Sequence, residues 1–403
     1  MKAQGLAARG HDVEVLTAGL ESDPPLTSRE DDGVTVHALA PPGGDFAVNN
    51  TETYWLGYAW AVLGALRTLT ATRPFDLIDF PDYGAEGLAF QLDREPEDAT
   101  AITVHLHGPL SMLAEQIGWP EPGDPLLRLG AFMEDTSIEM ADGLLAASGS
   151  VAELTARRNG IDPERIAVIA GAIDTDRFAP AGTAGAGPTN PFARDGARGP
   201  RLLFVGNVAD NKGVGVVLDA FAQVASRHPD ATLTIAGSAD EEAEATLRER
   251  AATAGLDARV ELLGFVEHDR LPDLYRSHDV FAAPSLYEGG LGLVYLEAMA
   301  CGLPVVAAAG GGTAEALAPG ETGFLLDRAD TDETAKALDA LLGDPALRER
   351  MGAAGRRRVV ENFSPAPYAE KVERAYEQAV ARRQRESAAA TATATTTTAM
   401  DGA

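Results

Sequence analysis

The residues best placed to do chemistry lie in one stretch, Ala283 to Ala308, APSLYEGGLGLVYLEAMACGLPVVAA. It reads as a strand end, a glycine-rich loop, a short helix expected from Gly292 to Cys301, and a second strand entered through Pro304. Gly302 supplies a left-handed cap and Pro304 cannot continue the helix. A loop of small residues that opens a helix leaves backbone N–H groups unpaired at a positive dipole end, where a phosphate can sit. Two carboxylates bracket that end, Glu288 in the loop and Glu297 on the helix. A carboxylate is badly placed to bind phosphate and well placed to accept hydrogen bonds from sugar hydroxyls. Together the two features point to a sugar nucleotide. An isolated glutamate is by default a solvated helix residue, and only the pairing across a glycine loop favours binding.

Three further places carry candidate chemistry. VGNVADNKG is a strand followed by a loop with Gly206, Lys212 and Gly213. Lysine is scarce here, four residues (2, 212, 336 and 371) against 29 arginines, so a lysine beside a glycine favours a phosphate contact over a merely solvated cation. AITVHLHGPL is a strand ending in His105 and His107, which share a face if the strand still runs. Strand-end histidines are more often structural than catalytic, but the carboxyl end of a parallel strand is where open α/β sheets hold ligands. Gly310-Gly311-Gly312 with Glu315 reads as a turn and helix start with a possible ligand role. FDLIDFPDYGAEG is a short apolar strand running into a polar loop, the run carrying Asp79, Asp82, Tyr83 and Glu86, and solvated loop acids are its equal alternative. Cys301, the single cysteine, excludes an intramolecular disulfide and reads as a small buried residue. With no Cys or His cluster and no metal-spaced aspartate pair, no metal is expected.

These residues need strands and helices to position them. MKAQGLAARGHDVEVLT reads as helix end, Gly10 cap and a strand from Val13 to Thr17. Residues 21 to 60 read as irregular, with a Pro41-Pro42-Gly43-Gly44 break and aromatics at Tyr54, Trp55, Tyr58 and Trp60 that suit a helix face. FDLIDF, AITVHLH, ADGLLAAS and RIAVIAG are then strand-like runs alternating with helical stretches. After a Gly/Ala/Pro/Thr-rich linker, RLLFVG, ATLTIAGS, RVELLGFV, DVFAAPS, PVVAAA and TGFLL repeat the pattern. Such alternation indicates doubly wound, mostly parallel sheets in an α/β chain. The expected divisions are residues 1–180, a linker 181–200, a second domain 201–365, a charged helix 366–386 and a disordered Ala/Thr tail 387–403.

At 403 residues two full cores are affordable, and no run approaches the roughly 18 apolar residues of a membrane span. No signal peptide is evident, so the expected location is cytoplasmic. A net charge of -28 argues against nucleic acid and gives no support to docking on anionic lipid.

The stretch YEGGLGLVYLEAMACGLPVVAAAGGGTAEAL, preceded by VGNVADNKG and followed by GETGFLL, resembles the donor half of family 4 retaining glycosyltransferases. LAARGHDVEVLT, His107-Gly108-Pro109 and ADGLLAASGSVAEL with GAIDTDRF are similar to the acceptor half. That likeness implies the GT-B fold of two facing Rossmann-like domains, here lacking a strand before the first helix. It implies that Lys212 binds the donor diphosphate, with Gly206 and Asn207 beside it, Asn207 standing where the family often has arginine. Glu288 would face the transferred sugar and Glu297 would hold the ribose hydroxyls. Gly292 and Leu293 would offer N–H groups to the distal phosphate, and the backbone around Gly264 and Phe265 would border the base. His107 would act at the reacting sugar, and Asp82, Tyr83 and Glu86 would be acceptor contacts. The spacing of the two glutamates is one residue longer than usual, which Gly289-Gly290 can absorb as a loop bulge. The function implied is metal-independent retaining transfer from a UDP- or GDP-linked sugar, with no cofactor, to a carbohydrate or small-molecule acceptor. The alternative is a non-catalytic homologue serving as a sugar-nucleotide-binding or partner subunit.

Overall fold

The structure is a computed structural model. It describes residues 1–20, 24–41, 54–182, 190–192 and 199–401, with side chains as far as residue 392. Two compact units divide the chain, the first built from Met1–Ile169 and Ala366–Ala403, the second from Ala170–Pro365. The chain crosses between the units after Ile169 and again after Pro365, so the last helix belongs to the first unit. Most of the expected linker and all but Pro41 of the Pro-Pro-Gly-Gly break lie outside the described residues.

In the first unit, β1 (Glu14–Ala18), β2 (Leu26–Asp31) and β3 (Val34–Leu39) form a three-stranded sheet in the order β1-β3-β2. β1 pairs parallel and β2 antiparallel to β3. This corrects the expectation of an irregular segment from 21 to 60. The connection between β2 and β3 is Asp32-Gly33, both at positive φ (48° and 78°), which is the two-residue geometry that matches strand twist. The helix Tyr54–Thr70 then buries Tyr58, Val62, Leu63 and Leu66, spaced three and four apart.

A second sheet of the same unit is parallel throughout: β4 (Leu77–Pro81), β5 (Ala101–Leu106), β6 (Gly143–Ala146) and β7 (Ile166–Val168), in that order. β5 is buried at every position, as a strand covered on both faces must be. Among the described residues no strand pairs with the outer edge of β1 or of β4. Both edges instead line one cavity of about 580 Å³, whose walls include Leu16, Val62, Leu66, Ile78 and Phe80. The Arg94–Asp142 ion pair locks the base of this sheet. Arg94 Nη1 lies 2.5 Å from Asp142 Oδ2, the same carboxylate oxygen accepts the Ile102 N–H at 2.7 Å, and both side chains are nearly inaccessible.

The second unit is a six-stranded parallel sheet of β8 (Arg201–Val205), β9 (Thr232–Ala236), β10 (Val260–Gly264), β11 (Val280–Ala283), β12 (Val305–Ala308) and β13 (Gly323–Leu326). Its order is β10-β9-β8-β11-β12-β13, so the winding reverses between β8 and β11. All six strand-like runs read from the sequence are strands, and their apolar residues form one core with the flanking helices. The reversal point matters for function, since it leaves a crevice at the carboxyl ends of the two strands it separates.

The C-terminal helix spans Pro365–Asp401 and corrects the expected disorder from Ser387 onward. Part of the reason is side-chain capture. Arg383 donates to the Glu95, Pro96 and Asp98 carbonyls, and the Ser387 hydroxyl donates to the Glu97 carbonyl at 2.6 Å. No helix among the described residues is long and apolar enough to cross a membrane.

Arg94→Met is expected to leave Asp142 buried without its cation and to cost about 3–5 kcal/mol of unfolding free energy, read as a lowered urea midpoint for the first unit.

Candidate functional site

Two loops meet at the reversal point. The first follows β8 and runs from Gly206 through a single 3-10 turn, Asp210–Lys212, to Gly213. The second follows β11 from Pro284 to Gly292 and leads into the helix Leu293–Ala300. They are stitched together by backbone: the Leu286 N–H and the Ser285 hydroxyl both donate to the Asn211 carbonyl, at 2.8 and 3.0 Å. The loop after β12 closes the other side. Glu288 N–H donates to the Gly310 carbonyl at 3.3 Å and Gly312 N–H to the Glu288 carbonyl at 2.9 Å.

Two glycines make this approach possible. Gly213 has φ +76°, and a Cβ there would fall 2.3 Å from the Pro284 carbonyl oxygen. Gly311 has φ +64°, and its Cβ would fall 2.0 Å from the Glu288 carbonyl oxygen. Both contacts are far inside van der Waals distance, so the sequence needs glycine for conformation and for space.

Lys212 and Glu288 converge, with Nζ 2.7 Å from Oε1 and both side chains only partly exposed. Gly206, Lys212, Ser285, Glu288, Gly292 and Leu293 line a shared cavity of about 110 Å³ at this edge. Five of the residues singled out from the sequence are therefore brought together. The Leu293–Ala300 helix presents its opening N–H groups there, and Gly292 precedes it at φ +72°. Asn207 is exposed on the first loop and Phe265 is exposed on the loop after β10, outside that cavity.

Glu297 sits one helical turn further on and is 5% exposed. Its Oε2 accepts the Tyr275 hydroxyl at 2.9 Å, and His268 Nε2 lies 3.6 Å from its Oε1. Burial pushes the Glu297 carboxyl up to about 7, against the opposing pull of the Tyr275 hydroxyl and the Arg177 charge. Tyr275, His268 and Arg177 were not read from the sequence. Each stands alone in a helix or loop with no spacing that would tie it to Glu297.

In the first unit the two strand-end histidines follow the expected face. His105 is buried within β5, and the His107 ring stacks on it, centroids 4.4 Å apart at 20°. His107 is exposed at the end of that strand and is held below the usual imidazole range by desolvation and the Lys2 charge, against the pull of Asp82.

Asp82 corrects the expectation of a loop acid open to an acceptor. It is fully buried, and its carboxylate accepts the N–H groups of Tyr83, His107 and Gly108 at 2.9, 3.0 and 3.0 Å. Its work is to hold the turn after β5 against the turn after β4. Glu134, also fully buried and missed in the sequence, does the same one step along, accepting Gly84 N–H at 3.1 Å and Leu110 N–H at 2.7 Å. Burial pushes the Glu134 carboxyl up to about 8. Tyr83 remains exposed and packs edge-on against Trp55, whereas Glu86 lines the cavity between β1 and β4. The three expected acceptor residues are thus not gathered at one surface.

Family models match both halves of the chain. A family model for glycosyl transferases group 1 matches residues 194–358, and one for a glycosyl transferase 4-like domain matches residues 1–172. The chain is 31% identical to a D-inositol 3-phosphate glycosyltransferase of Rhodococcus opacus, over 89% of this chain and 80% of that one. Among solved structures it is similar to the sucrose-phosphate synthase of Thermosynechococcus elongatus, with a TM-score of 0.76, 25% identity, and coverage of 94% and 92%. It also shares its fold with Anabaena HepE, solved in complex with UDP-glucose, with a TM-score of 0.64, 19% identity, and coverage of 85% and 86%.

Asp82→Asn replaces an acceptor of three N–H groups by a side chain whose amide must face one of them. It is expected to cost about 1–3 kcal/mol and to lower the thermal midpoint, with the loss larger than for the exposed Tyr83→Phe control.

Proposed function

The chain belongs to the glycosyl transferases group 1 family and is a glycosyltransferase, and we propose that it takes its sugar from a nucleoside diphosphate held at the β8–β11 edge, with retention of configuration. The single observation that carries this reading is the convergence of Lys212, Glu288 and the Leu293–Ala300 helix start on one cavity at the sheet's reversal point.

The chemistry follows from charge. A diphosphate leaving from a sugar carbon develops negative charge, and Lys212 with the unpaired N–H groups at the helix start is a preorganised counter-field for it. In the structure Glu288 occupies the lysine as a partner. An arriving diphosphate competes for that ammonium and frees the carboxylate to face sugar hydroxyls. Glu297, one turn from the phosphate end and buried beside Tyr275, suits the paired hydroxyls of a ribose. The bond from the anomeric carbon to the diphosphate oxygen breaks through an oxocarbenium-like state, and the acceptor oxygen forms its bond on the same face. The acceptor proton passes to the departing diphosphate. His107, from the first unit, is the side chain proposed to act at the transferred sugar. The UDP-glucose of the HepE complex supports a UDP-linked donor over the GDP-linked alternative, and the names of the inositol phosphate glycosyltransferase and sucrose-phosphate synthase support a carbohydrate or cyclitol phosphate acceptor.

Calorimetric titration with UDP, GDP and ADP tests the donor site. One of the three should bind saturably, and Lys212→Ala should weaken it at least tenfold, about 1.4 kcal/mol. Absence of binding by all three would overturn the donor site and favour the non-catalytic subunit.

The Glu297 carboxyl provides a separate check with a definite sign. Only its ionised form accepts hydrogen bonds from both ribose hydroxyls, and it takes up a proton as pH falls through about 7. Nucleotide affinity should therefore be flat above pH 8 and fall progressively below 7. Glu297→Gln should bind more weakly and lose that slope, whereas an unchanged slope in the variant would assign it to another group.

A further inference from the structure

His105 takes no part in the chemistry described above, yet it is 3% exposed and polar on a strand whose other side chains are mostly apolar. Its surroundings are specific. Lys2 Nζ, from the helix Lys2–Ala8, lies 3.2 Å from His105 Nδ1. The same ammonium is ion-paired with Asp79 Oδ2 on β4. Asp79 Oδ1 accepts the Thr103 hydroxyl at 2.6 Å, and Tyr376 of the C-terminal helix lines the same cavity as Lys2 and Asp79. Elements from four parts of the first unit thus meet behind one imidazole.

The chemistry of that contact fixes the ring. An ammonium has only hydrogens to offer, so His105 Nδ1 must be the acceptor and the ring proton must sit on Nε2. Burial and the adjacent Lys2 charge push the His105 imidazole down to about 3, so it stays neutral through the physiological range. Burial would raise the Asp79 carboxyl, but Lys2 and His105 with the two short hydrogen bonds outweigh it and hold the group below its ordinary value. The result is an uncharged ring of one tautomer, braced from behind by an ion pair, with its front face against His107 at 4.4 Å and 20°. Two protonated imidazoles could not stack at this distance without repulsion, and the close packing around a ring only 3% exposed holds its plane. The Asp82 carboxylate meanwhile fixes the backbone of His107 through its N–H.

We propose that His105 is a positioning residue for sugar transfer: a neutral shelf, locked by Lys2 and Asp79, that sets the plane of the His107 imidazole. This rests on the reading of His107 as the group acting at the transferred sugar. Backbone and ring are then fixed by separate devices, Asp82 for the first and His105 for the second.

Two variants of similar volume separate the shelf from simple packing. His105→Phe keeps a stacking ring, and His105→Leu fills the space without one. Both are first checked for a thermal midpoint near that of the unaltered chain. Ring nitrogen signals of His107 from long-range proton–nitrogen correlation spectra are then compared with the hydrolysis of UDP-glucose, water serving as acceptor. Should GDP be the nucleotide that binds, GDP-glucose replaces it.

His105→Leu is expected to average the His107 ring signals and to lower kcat at least tenfold, with KM for the donor within twofold. His105→Phe is expected to keep the signals and to retain more than a third of kcat. Identical behaviour of the two variants, whether both intact or both impaired, would overturn the proposal. His107→Ala keeps the two readings apart. If its turnover equals that of the unaltered chain, the role of His107 fails, while the ring signals of the His105 variants still decide whether the shelf exists.

Discussion

The donor edge depends on how closely three loops can pass at the carboxyl end of the six-stranded sheet. Carbonyl oxygens of Pro284 and Glu288 stand where the Cβ atoms of residues 213 and 311 would be. This contact distance brings the loop after β8 within hydrogen-bonding reach of the loop after β11, and so places Lys212 against Glu288. A methyl group at either glycine would force the loops apart by more than an ångström. The cation and the carboxylate are set by backbone packing, with their own attraction a secondary contributor, since an ion pair this close to solvent is worth little in free energy.

The first unit solves the same problem with buried acids. Its turns after β4 and β5 are held by Asp82 and Glu134, two carboxyl groups that accept three and two backbone N–H groups respectively. Hydrogen bonds of this kind are strong because the surroundings are dry, and the same dryness raises both acids above their ordinary range, so that Glu134, pushed up to about 8, accepts largely as a neutral carboxyl near pH 7. Backbone-to-backbone stitching in one unit and carboxylate-to-backbone clamps in the other give loops at strand ends the rigidity that precise placement of a side chain requires.

Much of this was legible in the sequence for physical reasons. The strands of the second unit are short, apolar runs bounded by glycine and proline, and all six appeared where such runs end in turns. Lys212, Glu288 and Gly292 were visible because rare lysine, paired acids and a glycine-opened helix are local signals. The hairpin of β2 and β3 was missed although Asp32-Gly33 announces it, because its strands carry charged residues and little apolar alternation. Asp82 was misjudged because a buried acceptor of N–H groups and a solvated loop acid have the same sequence. Glu134, Tyr275 and His105 with its partners depend on contacts between residues 22 to 103 positions apart, which no local pattern encodes. The helical run beyond Ser387 was hidden by composition, since alanine favours helix while threonine and low complexity suggest disorder.

The chain returns at its last helix to the unit it began with. Lys2, Asp79 and Tyr376 meet across that return, and so do Arg383 and the carbonyls around Glu95. Arg383 follows Glu95 by 288 residues. The second unit is one continuous run of chain, whereas the first takes its last helix from beyond it, so that Leu6, Leu145 and Ile169 are synthesised before the second unit and covered by that helix only after it. A discontinuous unit of this kind keeps apolar surface open until its distant segment arrives, the exposure that chaperones serve to shield.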